Sequence, residues 1–230
     1  MKENFYNDEE MNSLSYVEAK KLDKRTFIQY YFSLLRTKNI LIFSFIQSRD
    51  YNSKPIKIYL FFFTFSINYL VSAMFYSDDT MHKIYVDEGA FDFTYQLPQI
   101  CYSFLISTVS LSLLNFLGLY EQNVISFKKS KNRDLIAQQK LICRIKCKIA
   151  FFFIITYIIL FFLWFYLGCF CAVYKNTQIH LLLDVSSSFG LSLVTPFFIY
   201  LLPGIFRIPS LKNKVNRPLL FKFSRLLTIL

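Results

Sequence analysis

The sequence predicts an all-α integral membrane protein with four transmembrane helices and amphipathic helices on the cytoplasmic surface. Three observations support this fold class: an apolar fraction of 54% with 20% aromatic residues, four long uncharged segments, and basic residues that alternate between the segments connecting them. A soluble domain keeps a charged and mixed exterior, whereas a protein surrounded by lipid can expose Phe, Leu and Ile on every side.

Four segments contain no Asp, Glu, Lys, Arg or His: residues 58–76, 100–120, 149–174 and 185–206. Each reaches the roughly 18 to 20 residues that a helix needs to cross about 30 Å of hydrocarbon. Helices are expected because these segments are too long and too uniformly apolar for barrel strands. Buried helices of a soluble bundle are the alternative, but four such segments would leave little surface to face water. Residues 58–206 are therefore assigned to a four-helix transmembrane domain.

The basic residues predict the orientation of this domain. Ten Lys and Arg precede residue 58, eight lie in residues 121–148 and six follow Phe206, against one in residues 77–99 and one in residues 175–184. Short basic segments stay in the cytoplasm during insertion, so both termini are expected to be cytoplasmic. Plasma membrane and internal membranes obey the same rule and are not distinguished.

The net charge of +11 follows from these cytoplasmic segments. We expect them to contact the lipid bilayer and its anionic headgroups, and we expect no nucleic-acid partner.

Residues 1–25 are expected to form a polar N-terminal tail, disordered over residues 1–12. Residues 26–57 are expected to form a cytoplasmic interfacial segment. Capping-box patterns at Ser15 with Glu18 and at Thr26 with Gln29 predict helix starts. Five apolar residues then recur on one helical face, which lies either in the headgroup layer or against the cytoplasmic face of the bundle. They are Phe27, Tyr30, Tyr31, Leu34 and Leu35.

Residues 207–230 are expected to form a basic cytoplasmic tail with a second surface helix, whose apolar residues are Leu219, Leu220, Phe223, Leu226 and Leu227.

A charged stretch at residues 128–133 precedes a basic helix that is predicted to continue directly into the third span. Pro98 is predicted in the first turn of the second span. The fourth span is expected to bend or break, because it contains Gly190, Pro196, Pro203 and Gly204.

The second span is expected to be the central helix of the bundle, because its serines and asparagine can hydrogen-bond to neighbouring helices. The third span, which is almost entirely Phe, Ile and Leu, is expected to face lipid. These residues are Ser103, Ser107, Ser110 and Asn115. A pore lined by the same residues is the alternative.

We expect no enzyme activity and no catalytic, cofactor-binding or metal-binding residues. The sequence has no phosphate-binding, HExxH or GxSxG motif, and its two histidines, His82 and His180, are too few for a histidine-cluster metalloenzyme. Both are placed on the outer side, and no carboxylate lies at the midplane of a span, where a proton relay or an ion-coupled transporter would need one. Asp78 and Asp79 with His82 have a spacing compatible with a metal site, but a solvated loop is the preferred interpretation.

The five cysteines fall into two groups by the side of the membrane on which each is predicted to lie. Cys143 and Cys147 lie one helical turn apart among basic residues, a setting typical of reversible acylation, although free thiols at the boundary are the preferred interpretation. Cys101, Cys169 and Cys171 lie near the outer ends of their spans, where a lumenal disulfide from Cys101 to either of the others is possible.

Three motifs carry a resemblance to known proteins: Met81 to Tyr85 (MHKIY), Cys169 to Gln178 (CFCAVYKNTQ) and Leu201 to Pro209 (LLPGIFRIP). With them, the chain resembles the C-terminal membrane region of uncharacterised multi-pass proteins of single-celled eukaryotes. It is more weakly similar to the membrane portion that precedes the channel part of receptor-like polycystins. The resemblance implies a role beside a channel or receptor; the chain lacks the large extracellular region and the pore helices of polycystins.

Two functions are therefore expected from the sequence. The first is a non-enzymatic scaffold or accessory module for other membrane proteins, and the alternative is a small oligomeric channel or transporter. A lipid-modifying enzyme would need interfacial carboxylates or histidines, for which the sequence offers little.

Overall fold

A computed structural model describes residues 6–47, 50–87, 92–130, 134–174, 177–212 and 217–228. Within these ranges the regular secondary structure is entirely helical, and four helices are long and apolar enough to cross a membrane. The chain divides into two compact units, unit 1 (Met1–Tyr51 with Leu193–Leu230) and unit 2 (Asn52–Ser192).

The helices of unit 1 are α1 (Asp8–Asn12), α2 (Tyr16–Leu22), α3 (Phe27–Lys38), α4 (Ile40–Phe45), α11 (Leu201–Lys212) and α12 (Pro218–Leu227). The helices of unit 2 are α5 (Lys54–Met74), α6 (Asp78–Val86), α7 (Phe93–Gly118), α8 (Glu121–Lys129) and α9 (Leu135–Val173). Helix α10 (Gln178–Ile199) contributes residues to both units.

The long apolar helices overlap the four predicted spans. They are Lys54–Met74, Phe93–Gly118, Leu135–Val173 and the stretch Gln178–Lys212, which comprises α10 and α11. The prediction that a basic helix continues into the third span is confirmed, since α9 runs without a break through both parts. Of the charged stretch before it, residues 131–133 lie outside the described residues.

The predicted interruption of the fourth span is confirmed at Tyr200, which forms a turn between α10 and α11. Pro203 lies three residues later and has no backbone N–H to donate to the carbonyl of Ile199, the last residue of α10. The prediction that Pro98 lies in the first turn of its span is wrong. Helix α7 begins at Phe93, where the Asp92 carboxylate accepts the Tyr95 N–H at 3.1 Å, and Pro98 is inside the helix.

Residues 8–22 form α1 and α2, where the sequence predicted a disordered or polar tail. Helix α1 begins with a reciprocal cap, since Asn7 Oδ1 accepts the Glu10 N–H and Glu10 Oε2 accepts the Asn7 N–H. The predicted capping boxes are confirmed, because Ser15 with Glu18 starts α2 and Thr26 with Gln29 starts α3. These reciprocal bonds satisfy backbone donors that have no partner within the helix.

The apolar face of α3 packs inside unit 1. Tyr30, Leu34 and Leu35 are each 1% exposed, while Ile28 and Phe32 on the opposite side remain exposed. Gly204 of α11 lies against the Phe27 ring so closely that a Cβ there would be 2.6 Å from a ring carbon. The predicted face therefore contacts protein.

Helix α5, and not α7, is the centre of unit 2. Half of its most apolar stretch is buried, against 22% for α7 and 17% for α9. The prediction that the second span is central is wrong, because the large residues Leu60 and Phe63 of α5 fill the interior. The third span is the most exposed of these helices, as expected.

Candidate functional site: buried polar residues in unit 2

The interior of unit 2 contains polar side chains at helical spacing. In α5 and just beyond its end, Asn68, Ser72 and Tyr76 recur every four residues and are at most 9% exposed. In α10, His180, Asp184 and Ser188 recur at the same spacing and are at most 3% exposed. Residues four apart share one face of a helix, so each helix presents a polar stripe to the interior.

Helix α7 provides a third polar stripe. Gln96, Ser103 and Ser107 are at most 3% exposed, and Gln99 lies half-buried between them. Their spacings of three and four residues place them on one face. Gly118, near the end of the same helix, allows close packing against α9, since a Cβ there would be 3.0 Å from the Phe152 ring.

Helices α5 and α7 pack against each other. The two helices are antiparallel, and Asn52 donates to Glu121 at 3.1 Å near one pair of ends. Near the other pair of ends, the Phe75 and Tyr102 rings stack with centroids 5.9 Å apart. The register between these two contacts places Ser72 at the level of Ser103.

The stripe of α10 joins the other two through Asp184. Gln99 Nε2 donates to Asp184 Oδ2 at 2.8 Å, which links α10 to α7. The Tyr76 hydroxyl faces the same carboxylate. Asp184 is 1% exposed, and no Lys or Arg among the described residues is paired with it.

Eight buried side-chain oxygens in the described part of unit 2 have no hydrogen-bond partner. They are Asn68 Oδ1, Ser72 Oγ, Tyr76 Oη, Gln96 Oε1, Ser103 Oγ, Ser107 Oγ, Asn115 Oδ1 and Asp184 Oδ1. A buried polar group without a partner costs about 1–3 kcal/mol, and most such groups in proteins bond to a side chain, a water or an ion. The concentration of these oxygens in one unit makes its interior the candidate site.

Unit 1 contains a different kind of buried polar group, in which the charged atoms are paired. Arg207 and Asp23 have side chains that are each 1% exposed, and Arg207 Nη2 lies 2.9 Å from Asp23 Oδ2. Arg207 also donates to the Met11 carbonyl at 3.1 Å, and its guanidinium lies 4.8 Å from the centroids of the Tyr30 and Phe221 rings.

Arg25 is the second cation at Asp23. Its Nε and Nη2 donate to Asp23 Oδ1 and Oδ2 at 2.8 and 2.9 Å. Burial raises the pKa of Asp23, but the Arg25 hydrogen bonds and the charges of Arg25 and Arg207 outweigh this and hold it below the usual range. This group therefore holds α1, α11 and α12 together, and we assign it a structural role.

The cysteines chosen from the sequence lie at accessible positions. Cys143 and Cys147 are exposed on α9, Cys101 and Cys169 are exposed, and Cys171 is half-buried. All five are free, and both the acylation of Cys143 and Cys147 and the disulfide from Cys101 stay predictions.

The acidic segment that follows α5 forms α6, with Asp78, Asp79 and His82 exposed on its surface. The described residues contain no group of three or more His, Cys, Asp or Glu arranged to hold a metal. Of the motif from Cys169 to Gln178, Lys175 and Asn176 lie outside the described residues.

Sequence reasoning missed Asp184 because it was assigned to the outer loop before the fourth span. The repeat His180, Asp184, Ser188 at spacing four is visible in the sequence and would have placed Asp184 on a helix. Comparison with protein-family models, with curated proteins and with solved structures gave no match.

Proposed function

We propose that the protein is a four-span membrane protein with both termini in the cytoplasm, and that it acts as a non-enzymatic accessory module for other membrane proteins. The observation that carries this proposal is the surface of α9. Phe161, Phe162, Trp164 and Phe165 are each at least 60% exposed. Neighbouring residues of a helix point in different directions, so their joint exposure leaves more than one side of α9 apolar and uncovered.

Such a surface is stable in lipid or against another apolar protein surface. Lipid alone would suit the aliphatic residues, while the aromatic side chains give the large and rigid contact area that is enriched in protein interfaces. The resemblance to multi-pass proteins and to the region beside the polycystin channel implies the same kind of role.

The serines of α7 favour this function over a pore. Ser103 and Ser107 are at most 1% exposed and are enclosed by the packing of unit 2. Small polar residues at such positions let membrane helices approach closely, whereas a pore would leave them open to water.

Anionic lipid is the partner that best fits two other surfaces. Lys140 and Arg144 line a cleft between α8 and α9 together with Asn123 and Ser126, which suits a lipid phosphate. In unit 1, α12 buries Phe221 and Ser224 and leaves Leu219, Phe223 and Leu226 exposed beside Lys222 and Arg225. This is the pattern of a helix that lies in the headgroup layer.

The second candidate is a small oligomeric channel or transporter, and Asp184 is the observation that favours it. A carboxylate buried inside a membrane-crossing helix is costly and is most often found on an ion or proton pathway. A flux assay with the purified protein in liposomes tests this function, and the absence of flux under every ion gradient would remove it.

Site-specific crosslinking tests the accessory role. A photoreactive residue at Trp164, which is 60% exposed, is compared with one at Leu163, which is 1% exposed. We expect the probe at position 164 to capture the same protein that co-purifies in mild detergent, and the probe at 163 to capture none. Crosslinks from position 164 to lipid alone, with no stoichiometric co-purifying protein, would contradict the proposal.

A further inference from the structure

The Asp184 carboxylate has an arrangement that the accessory role does not explain. One of its oxygens accepts a hydrogen bond from Gln99 at 2.8 Å, and the other has no partner. An ionised carboxylate without a partner in an apolar interior costs several kcal/mol, so such a group takes up a proton or binds a cation. The atoms around the carboxylate determine whether it takes up a proton or binds a cation.

Two other side chains of unit 2 carry oxygens that suit a cation. Gln96 Oε1 lies on the same face of α7 as Gln99, one turn away, and is buried without a partner. The Tyr76 hydroxyl faces Asp184. Carboxylate, amide and hydroxyl oxygens are the ligands that hard metal cations prefer, and a proton on Asp184 would leave the Gln96 oxygen unsatisfied.

We propose that unit 2 binds a monovalent metal cation, of which sodium is the probe, between Asp184, Gln96 and Tyr76. One carboxylate and two neutral oxygens balance a single positive charge. A divalent cation would leave a net buried charge, which is disfavoured. Gln99 is the positioning residue, because its bond to one carboxylate oxygen leaves the other directed to the ion.

The surroundings offer a route to this site. Gln99 is half-buried, so the carboxylate lies just beneath the surface of unit 2. Ile84 of α6 packs in the same apolar cluster as Tyr76, and this helix carries the exposed carboxylates of Asp78 and Asp79 in its first turn. Negative charge near the entrance raises the local concentration of cations. The proposal is independent of the accessory role and requires no transport.

The experiment compares the thermal stability of the purified full-length protein in chlorides of sodium, potassium and N-methylglucamine at equal ionic strength. An ion that binds only the folded protein raises Tm, and sodium at ten times its Kd should raise it by about 3 to 6 °C. Asp184→Asn should lose this rise. Asp134→Asn, which removes an exposed carboxylate just before α9, should keep it.

A second variant covers the case in which Asp184→Asn fails to fold. Gln96→Leu keeps the carboxylate and removes one oxygen ligand, and it should raise the sodium concentration needed for half of the effect by about tenfold, equal to about 1.4 kcal/mol. Equilibrium binding of radioactive sodium to the unsubstituted protein should reach one ion per chain.

Three results would overturn the proposal. The first is a Tm that is the same in all three salts. The second is a Tm that changes with pH alone and is equal in every salt, which would show that Asp184 holds a proton. The third is a sodium response of folded Asp184→Asn equal to that of the unsubstituted protein, which would place the ion elsewhere.

Discussion

The Arg207 guanidinium bonds to the Asp23 carboxylate at 2.9 and 3.2 Å, across 184 residues of sequence. Both side chains are 1% exposed, and Asp23 also binds Arg25. Because the ion pair is fully buried and links the N-terminal segment to α11, its loss should affect all of unit 1.

Replacing Arg207 by Met should destabilise the protein by about 3–5 kcal/mol, since it removes one partner of a buried pair and leaves the Met11 carbonyl without its donor. The measurement is denaturant unfolding in detergent. Arg36→Gln is the matched control, because Arg36 pairs with Asp8 at 3.1 Å but with 44% of its side chain exposed. The control should cost about 0–1 kcal/mol. Equal losses of unfolding free energy in both variants would show that burial of the ion pair does not affect its contribution to stability.

Protonation of the Asp23 carboxylate should lower the free energy of unfolding in acid. Its pKa is lowered in the folded protein, so the carboxylate stabilises the fold fully above the unfolded value of about 4. That contribution is lost as the pH falls from about 4 through the lower pKa of the folded state. Unfolding curves between neutral pH and strong acid should show this loss, and Asp23→Asn should flatten it. An unchanged acid response in the variant would assign the loss to other groups.

Gly118→Ala should destabilise unit 2 by about 1–3 kcal/mol, because the new Cβ would meet the Phe152 ring at 3.0 Å. Gly168→Ala is the matched control in α9, where a Cβ would meet nothing within 4 Å. The control should keep or slightly raise stability, since Ala favours helix over Gly. Thermal unfolding in one detergent compares them. A Gly118→Ala protein as stable as the control would mean that α7 and α9 have room to separate.

Cys143 and Cys147 should carry thioester-linked fatty acid, because both thiols are exposed one turn apart on the basic part of α9. Metabolic labelling with an alkyne fatty acid, with and without hydroxylamine, measures this. The Cys143→Ser, Cys147→Ser double variant should lose the label, and Cys169→Ser should retain it. Label that persists in the double variant would show that other residues carry the fatty acid.

Local signals in the sequence predicted local features of the fold. The capping boxes at Ser15 and Thr26 depend on residues three positions apart, and both helix starts are found. The break at Tyr200 follows from the missing N–H of Pro203. The continuity of α9 follows from the absence of any helix breaker between its basic and apolar parts.

Features that depend on distant contacts were not predictable in this way. Residues 8–12 look like a polar tail by composition, and they are ordered because Arg207 binds the carbonyls of Met11 and Asn12. The start of α7 was misplaced because Pro98 is tolerated in a helix already capped by Asp92.

The candidate site was missed for a related reason. Dividing the chain by charge assigned Asp184 to a loop, although it lies on a helix whose buried face continues at Ser188. The pairing of Asp184 with Gln99 links residues 85 positions apart, which a single sequence does not reveal.

The accessory role and the orientation of the termini both require that α5, α7, α9 and the stretch α10–α11 cross a bilayer. Alkaline carbonate treatment of membranes containing the protein tests it directly, because it strips peripheral proteins and leaves proteins with transmembrane helices in the pellet. We predict that the protein stays in the pellet and is released only by detergent. Its recovery in the carbonate supernatant would contradict the account.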